Sequence, residues 1–408
     1  MTAKSGLGWG WDRSPTTGTS AFGIFVDVGS RDEAPDQWGA AHFLEHAVFK
    51  GAGELGGRQL AERFDRWGAE VNAFTTRDYT CFYGKAMDAK LGDVYQLVRS
   101  MIDRPWLTDD DIARERQVIL AEMADAQDSA EDRVEEGLLY ALFGDERLTH
   151  DILGTAEGVQ AFTRDDLVAF HRQHYRPERM VIALAGEAGR HLVPSVDGRE
   201  FRPRPRPRPI PRAEAREVLI EEDREQVEML LGVPAPGLNA PEAYGVDVLT
   251  SVLGGQTSSR LWQRLREAEG LVYSISADYQ AELDWGIMTV SLAVHPGGIA
   301  KALAAVGEEL ARARSEGFGT DELERGQMQL QAGLRFGLET VDRRMLRLGR
   351  HLLSERLPPA PEAMDRAWLA ITTDDLSTLM QSLWGQPERI GFSAFGPLGG
   401  RKSLRALL

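Results

Sequence analysis

Two stretches of similar length, each running strand, helix, strand block and helix, lie on either side of a proline-rich divider. This order predicts an α+β protein of layered α/β type, with two homologous halves that are each a mixed β-sheet covered by helices. Three observations carry the prediction. An apolar strand-like run opens each half, Ala21-Phe-Gly-Ile-Phe-Val-Asp-Val28 and then Val227-Glu-Met-Leu-Leu-Gly-Val233. A strand-rich block follows in each, at residues 71–87 and 271–294. A helix start then recurs, Leu107-Thr-Asp-Asp-Asp-Ile-Ala-Arg114 against Gly319-Thr-Asp-Glu-Leu-Glu-Arg325.

Between the opening run and the strand block, each half carries a helical stretch that ends near glycine, at Gly51 and at Gly254-Gly255. Both later helix starts place a threonine cap before acidic residues in the first turn. The cap satisfies N–H groups with no partner inside the helix, and the acids complement the helix dipole. The divider is Arg202-Pro-Arg-Pro-Arg-Pro-Arg-Pro-Ile-Pro-Arg212. Alternating proline removes backbone donors and fixes φ, so neither helix nor central strand fits there. A semi-rigid polyproline II linker is expected, extended further by repulsion between its arginines. The expected domains are therefore 1–200, a linker at 201–213, and 214–408.

Composition narrows the function. At 408 residues the chain exceeds one ordinary hydrophobic core, and 42% hydrophobic with 27% charged residues reads as globular protein. The single cysteine, Cys81, excludes an intramolecular disulfide framework and a cysteine-based zinc knuckle, and it reads as a small buried hydrophobe. It fits a reducing compartment, so a cytoplasmic protein is expected. No run of 18 apolar residues is present, the N-terminus carries no apolar signal-like core, and no membrane association is expected. A formal charge of -16 argues against nucleic acid as a partner; it suits solubility or a cationic partner.

The chemistry-bearing group is His42-Phe-Leu-Glu-His46. On a helix, His42 and His46 are i and i+4, so both imidazoles project from one face and can meet one zinc ion. Glu45 lies on the adjoining edge, placed to reach a metal-bound water as a general base without filling the coordination sphere. A pair of packed or surface histidines is the plainer alternative. A third ligand is sought in Ile112-Ala-Arg-Glu-Arg-Gln-Val-Ile-Leu-Ala-Glu-Met123. There Ile112, Val118, Ile119 and Met123 recur at helical spacing, and Glu115 and Glu122 share one stripe two turns apart. One of the two glutamates can ligate while the other orients a histidine.

The duplication sharpens the reading. Aligning Ile112 with Leu323 places Gly326 and Gly333 opposite Glu115 and Glu122. Aligning Gly51 with Gly255 places Val246, Leu249 and Thr250 opposite His42, Glu45 and His46. One copy is built for chemistry and the other is not. His171 and His174, at i and i+3, have no acidic partner at a matching spacing and read, like His150, His191, His295 and His351, as surface or packing residues.

These motifs resemble the pitrilysin (insulinase-type) inverzincin family, in its mitochondrial processing peptidase-like branch. The resemblance spans nearly the whole chain. It rests on Gly39-Ala-Ala-His-Phe-Leu-Glu-His-Ala-Val-Phe-Lys-Gly51, Gly68-Ala-Glu-Val-Asn-Ala-Phe-Thr-Thr-Arg-Asp-Tyr-Thr80, Glu115-Arg-Gln-Val-Ile-Leu-Ala-Glu122, and Ser258-Ser-Arg-Leu-Trp-Gln-Arg-Leu-Arg-Glu-Ala-Glu-Gly-Leu-Val-Tyr-Ser274.

The resemblance implies a clamshell of two halves around a chamber and one zinc per chain held by His42, His46 and Glu122. Glu45 would activate water and Glu115 would support the site. Asn72, Ala73 and Phe74 would form an edge strand that pairs with the substrate backbone. Arg266 and Tyr273 would hold the substrate carbonyl and stabilise its oxyanion. The implied activity is zinc-dependent endopeptidase action on short or unfolded polypeptides, in a homodimer with each protomer complete. The alternative is a non-catalytic relative resembling the core subunits of a respiratory complex.

Overall fold

A computed structural model describes residues 8–13, 18–144, 147–192, 199–200, 215–354 and 356–408. The expected proline and arginine linker lies outside the described residues. The chain folds as two compact units assembled from interleaved segments. The first comprises Met1–Ala124, His150–Pro207 and Gly337–Pro358; the second comprises Asp125–Thr149, Arg208–Phe336 and Pro359–Leu408.

The first unit is built on a six-stranded mixed sheet. Its strands are β1 (Gly8–Asp12), β2 (Thr19–Val26), β5 (Glu70–Thr75), β6 (Thr80–Met87), β7 (Met180–Ala185) and β8 (Arg199–Glu200), in the order β5-β6-β2-β7-β1-β8. A small hairpin of β3 (Gly51–Ala52) and β4 (Leu55–Gly56) lies apart from it. The second unit has a five-stranded sheet of β9 (Glu217–Glu221), β10 (Val227–Ala235), β11 (Ser274–Ala281), β12 (Gly286–Val294) and β13 (Gly391–Gly396), in the order β11-β12-β10-β13-β9.

Five strands of the first sheet match the five of the second. In each, three antiparallel pairings are followed by a parallel one, of β1 with β7 in the first and β9 with β13 in the second, and the first sheet adds β8, parallel to β1. Two homologous halves with mixed sheets under helices is thus the observed fold.

Both faces of each sheet are covered, which is why the central strands are apolar without alternation. In β2, Phe22, Ile24 and Val26 enter the core with α3 (Asp88–Asp103), while Phe25 faces the other way, onto Met345, Leu348 and Leu352. Those last residues belong to the helix Val341–Leu353, which comes late in the sequence but completes the first unit. Its approach is very close, because a Cβ on Gly349 would lie 2.0 Å from the Phe25 ring. The second unit is completed in the same way by α5 (Ala130–Phe143), where a Cβ on Gly137 would lie 2.3 Å from Ser393 Oγ.

Two helices position the site: α1 (Ala40–Val48) and α4 (Asp109–Asp128), with α2 (Gly57–Trp67) between them in sequence. Phe43 and Leu44 of α1 are fully buried, and Ile112, Ile119 and Met123 of α4 enter the same core. Val118, read as part of that stripe, is instead 49% exposed, because it sits on the flank of α4 and not on its buried face. The Thr108 cap is present, with its Oγ1 accepting from Asp111 N–H at 3.2 Å. In the second unit the cap is Gly319, one residue before the expected Thr320. Glu322 reaches back to accept the Gly319 N–H at 2.8 Å, so no threonine hydroxyl is needed there.

Candidate metal centre

Helix α1 brings His42 and His46 onto one face, with ring centroids 4.6 Å apart. Their Nε2 atoms approach the same oxygen, Glu122 Oε2, at 3.7 and 3.6 Å. These separations are too long for hydrogen bonds. A tetrahedral ion about 2.0–2.2 Å from each of three donors would space them by about 3.3–3.6 Å, close to these two separations, and all three donor atoms lie within 4.8 Å of one another. Among the described residues this is the one cluster of three or more His, Cys, Asp or Glu able to hold an ion.

The protonation chemistry fits as well. Burial, with His46 close by, pushes His42 down to about 3, so it stays neutral and its ring nitrogen is available as a donor. The Glu122 side chain is 46% exposed, which leaves the cluster open to solvent on that side, as a catalytic site with a free coordination position requires.

Glu115, one helical turn pair before Glu122, is buried and holds the opposite side of His46, with Oε2 3.2 Å from Nδ1. Its other oxygen meets Lys50 Nζ at 2.6 Å. Burial pushes the Glu115 carboxyl up, but the hydrogen bonds from His46 and Lys50 outweigh burial and hold it below the usual range. On His46, burial pushes downward, and the bond to Glu115 together with the carboxylates of Glu122 and Glu45 raises it on balance. The carboxylate therefore fixes His46 with Nε2 turned toward the cluster. His42 differs, for its buried Nδ1 has no partner among the described residues and its position rests on packing.

Glu45 is 9% exposed and lies beside the cluster on α1. Thr75 Oγ1, at the end of β5, donates to Glu45 Oε2 at 2.5 Å. Burial raises the Glu45 carboxyl above its usual range, and the Thr75 bond works against that rise. Neither Thr75 nor Lys50 follows from motif spacing. The signal for Thr75 was its place at the end of the Asn72-Ala-Phe74 strand, and for Lys50 its position one turn beyond His46.

Asn72, Ala73 and Phe74 lie on β5, which is an edge of the sheet. One edge group is already engaged, since Asn72 Oδ1 accepts the Ala73 N–H at 2.8 Å. Arg266 and Tyr273 belong to the second unit and are neighbours there. Arg266 lies in the π-helical turn Trp262–Ala268 and donates from Nη1 to the Val272 carbonyl at 2.8 Å, and the Tyr273 ring that follows is 50% exposed. In the same unit, Val246, Leu249, Thr250 and Gly326, aligned with His42, Glu45, His46 and Glu115, are buried, whereas Gly333, aligned with Glu122, is exposed. Helix Ala243–Leu253 packs on the Gly326 backbone, where a Cβ would lie 2.7 Å from Val252 Cγ2, and Ser251 Oγ donates to the Gly326 carbonyl at 3.2 Å.

Three further histidines lie on the first unit, outside the cluster. His150 is buried against Trp38, His171 binds the Ile102 carbonyl, and His174 meets Arg179. Cys81 is fully buried on β6.

Two imidazoles and a carboxylate lie beside a buried glutamate on one copy of a duplicated helix-covered sheet, and the other copy carries none of these residues. The chain belongs to the insulinase family. Residues 11–156 match Insulinase (Peptidase family M16), and residues 161–330 match the Peptidase M16 inactive domain. It is 33% identical to an uncharacterized zinc protease of Mycobacterium leprae over 99% of this chain and 92% of that protein.

Among solved structures, a protease from Helicobacter pylori has a TM-score of 0.84 at 20% identity, covering 97% of this chain and 98% of the other. A chain of complex III2 from Candida albicans has a TM-score of 0.84 at 17% identity, covering 100% and 98%. These likenesses are of fold. No helix among the described residues is long and apolar enough to cross a membrane.

Proposed function

We propose that this protein is a zinc-dependent endopeptidase that hydrolyses peptide bonds in short or unfolded polypeptides presented as extended strands. The observation that carries the reading is the convergence of His42 Nε2, His46 Nε2 and Glu122 Oε2 beside a glutamate, Glu45, that none of them engages. Bound zinc would polarise the scissile carbonyl and lower the pKa of its water toward neutrality.

The chain's own residues do the rest. Glu45, with Oε2 held by Thr75, takes a proton from the attacking water and returns it to the leaving amine. Glu115, braced by Lys50, keeps His46 in its ligating orientation. The β5 edge at Asn72, Ala73 and Phe74 pairs with the substrate backbone, and a strand that takes the Ala73 N–H displaces its bond to Asn72. Arg266 and Tyr273 hold the substrate carbonyl. The same reading makes the enzyme a cytoplasmic homodimer, and the charge of -16 favours cationic peptides.

The decisive experiment compares zinc content and peptide hydrolysis in the wild type and in Glu45→Gln, before and after chelation, with the oligomer mass measured alongside. Zinc should remain bound in the variant while hydrolysis falls by about 10²–10⁴-fold. Undiminished hydrolysis in Glu45→Gln defeats the reading. A zinc-loaded wild type that hydrolyses no peptide would favour the non-catalytic alternative.

A further inference from the structure

We propose that Glu33 is a positioning residue for hydrolysis, and that the turn Gly29–Glu33 registers the helix carrying Glu45 against the hairpin carrying Thr75. The inference rests on the peptidase reading above. Glu33 lies outside every motif used so far, yet its side chain is fully buried and two of its three side-chain partners are N–H groups at the start of α1. Oε2 accepts the Gly39 N–H at 2.8 Å, and Oε1 accepts the Ala41 N–H at 2.7 Å. Oε2 also meets His150 Nε2 at 3.2 Å, and the His150 ring stacks on Trp38 with centroids 4.8 Å apart.

A helix N-terminus needs acceptors for its first N–H groups and favours negative charge. A serine or aspartate at the cap position ordinarily supplies them. Here the cap is Gly39 at φ +93°, and a Cβ would lie 2.6 Å from the Leu153 carbonyl, so no capping side chain fits. The acceptor is brought from six residues upstream, at the cost of burying a carboxylate. A local cap would stabilise the helix more cheaply. What the remote carboxylate adds is a fixed position of α1 relative to another part of the fold.

That other part is the turn joining β5 to β6. From the same five residues, Arg31 Nη1 pairs with Asp78 Oδ1 at 2.8 Å, with side chains 7% and 0% exposed. Ser30 N–H and Arg31 N–H donate to the carbonyls of Thr76 and Arg77, both at 3.1 Å. A Cβ on Gly29 would lie 2.4 Å from the Thr76 carbonyl oxygen, so the two backbones touch. Thr76 follows directly on Thr75, the donor to Glu45. One short turn therefore grips both ends of the Glu45–Thr75 hydrogen bond, the helix through Glu33 and the hairpin through Arg31. Misplacement of a reacting group by about 1 Å can cost on the order of 100-fold in rate.

The test measures zinc content, kcat and KM on an unstructured peptide for wild type, Glu33→Gln, Thr75→Val and the double variant. In Glu33→Gln, kcat should fall about tenfold or more with zinc content full and KM within about twofold. The double variant should be no slower than the slower single variant, because both changes act on one hydrogen bond. A Glu33→Gln enzyme with wild-type kcat overturns the proposal, and so do losses that multiply in the double variant. If Glu33→Gln does not fold by circular dichroism, Asp78→Asn carries the same expectation from the hairpin side, and wild-type kcat there overturns it equally. Absence of hydrolysis in zinc-loaded wild type is a separate result, which removes the peptidase reading and this inference with it.

Discussion

Thr75 Oγ1 donates to Glu45 Oε2 across 2.5 Å, joining the end of an edge strand to the helix that carries both imidazoles. On the proposed peptidase reading, the bond leaves the second carboxylate oxygen to handle the proton. Replacing Thr75 with valine keeps the shape and removes the donor, so kcat should fall about 10–100-fold with zinc still bound. Thr75→Ser should recover most of that loss. Steady-state kinetics with zinc content measured in parallel settles the point, and a fully active valine variant would show that Glu45 needs no such partner.

Glu122 and Glu115 should separate cleanly by experiment. Glu122→Gln removes a donor from the cluster, and zinc content should drop to near zero with the fold intact by circular dichroism. Glu115→Gln leaves the three donors in place but weakens the hold on His46 Nδ1, and zinc affinity should fall by about 10–100-fold in a chelator competition. Equal effects from both substitutions would contradict the assignment of one as ligand and the other as support.

Two glycine substitutions should act with opposite sign. At Gly349 a Cβ meets the Phe25 ring at 2.0 Å, so Gly349→Ala should destabilise by about 1–3 kcal/mol despite the better helix propensity of alanine. At Gly333, within the helix Thr320–Gly337, nothing lies within 4 Å of a Cβ, and alanine should stabilise by about 0.5–1 kcal/mol. Denaturant midpoints measure both.

Stability in acid should carry a contribution from His351. Burial pushes it down to about 4, with the Arg347 carbonyl opposing and the charges of Arg347 and Arg350 adding to the shift. Between about pH 6.5 and 4 the unfolded chain binds a proton that the folded chain refuses, so stability falls as pH falls through that window. The maximum cost is about 3 kcal/mol at about 1.36 kcal/mol per pH unit. Unfolding of the metal-free protein at pH 7 and pH 4 should show a smaller loss for His351→Gln than for wild type. An identical loss would mean that His351 titrates alike in both states.

Much of the site is legible in order along the chain because its signals are local. The i, i+4 spacing of His42 and His46 reports one helix face whatever the rest of the fold does. The paired strand blocks announce a duplication that five strands of each sheet then reproduce. Glu115 and Glu122 are also visible as a pair, but nothing in a seven-residue spacing says which one ligates. The packing of α4 against α1 sets Glu122 near the Nε2 atoms and Glu115 at Nδ1, which is the basis for proposing Glu122 as the ligand.

Determined by the sequence alone are the fold class, the duplication, the paired-histidine helix and the loss of its counterpart in the second half, all of which follow from periodicity and residue type over short stretches. Only the tertiary structure decided that Thr75 serves Glu45, that Lys50 steadies Glu115, that Glu33 caps α1, and that Val341–Leu353 and α5 complete units whose other segments lie far along the chain. The reason is physical. Hydrogen bonds and close packing between residues far apart in sequence depend on how strands and helices stack, and no local pattern of side chains encodes that distance.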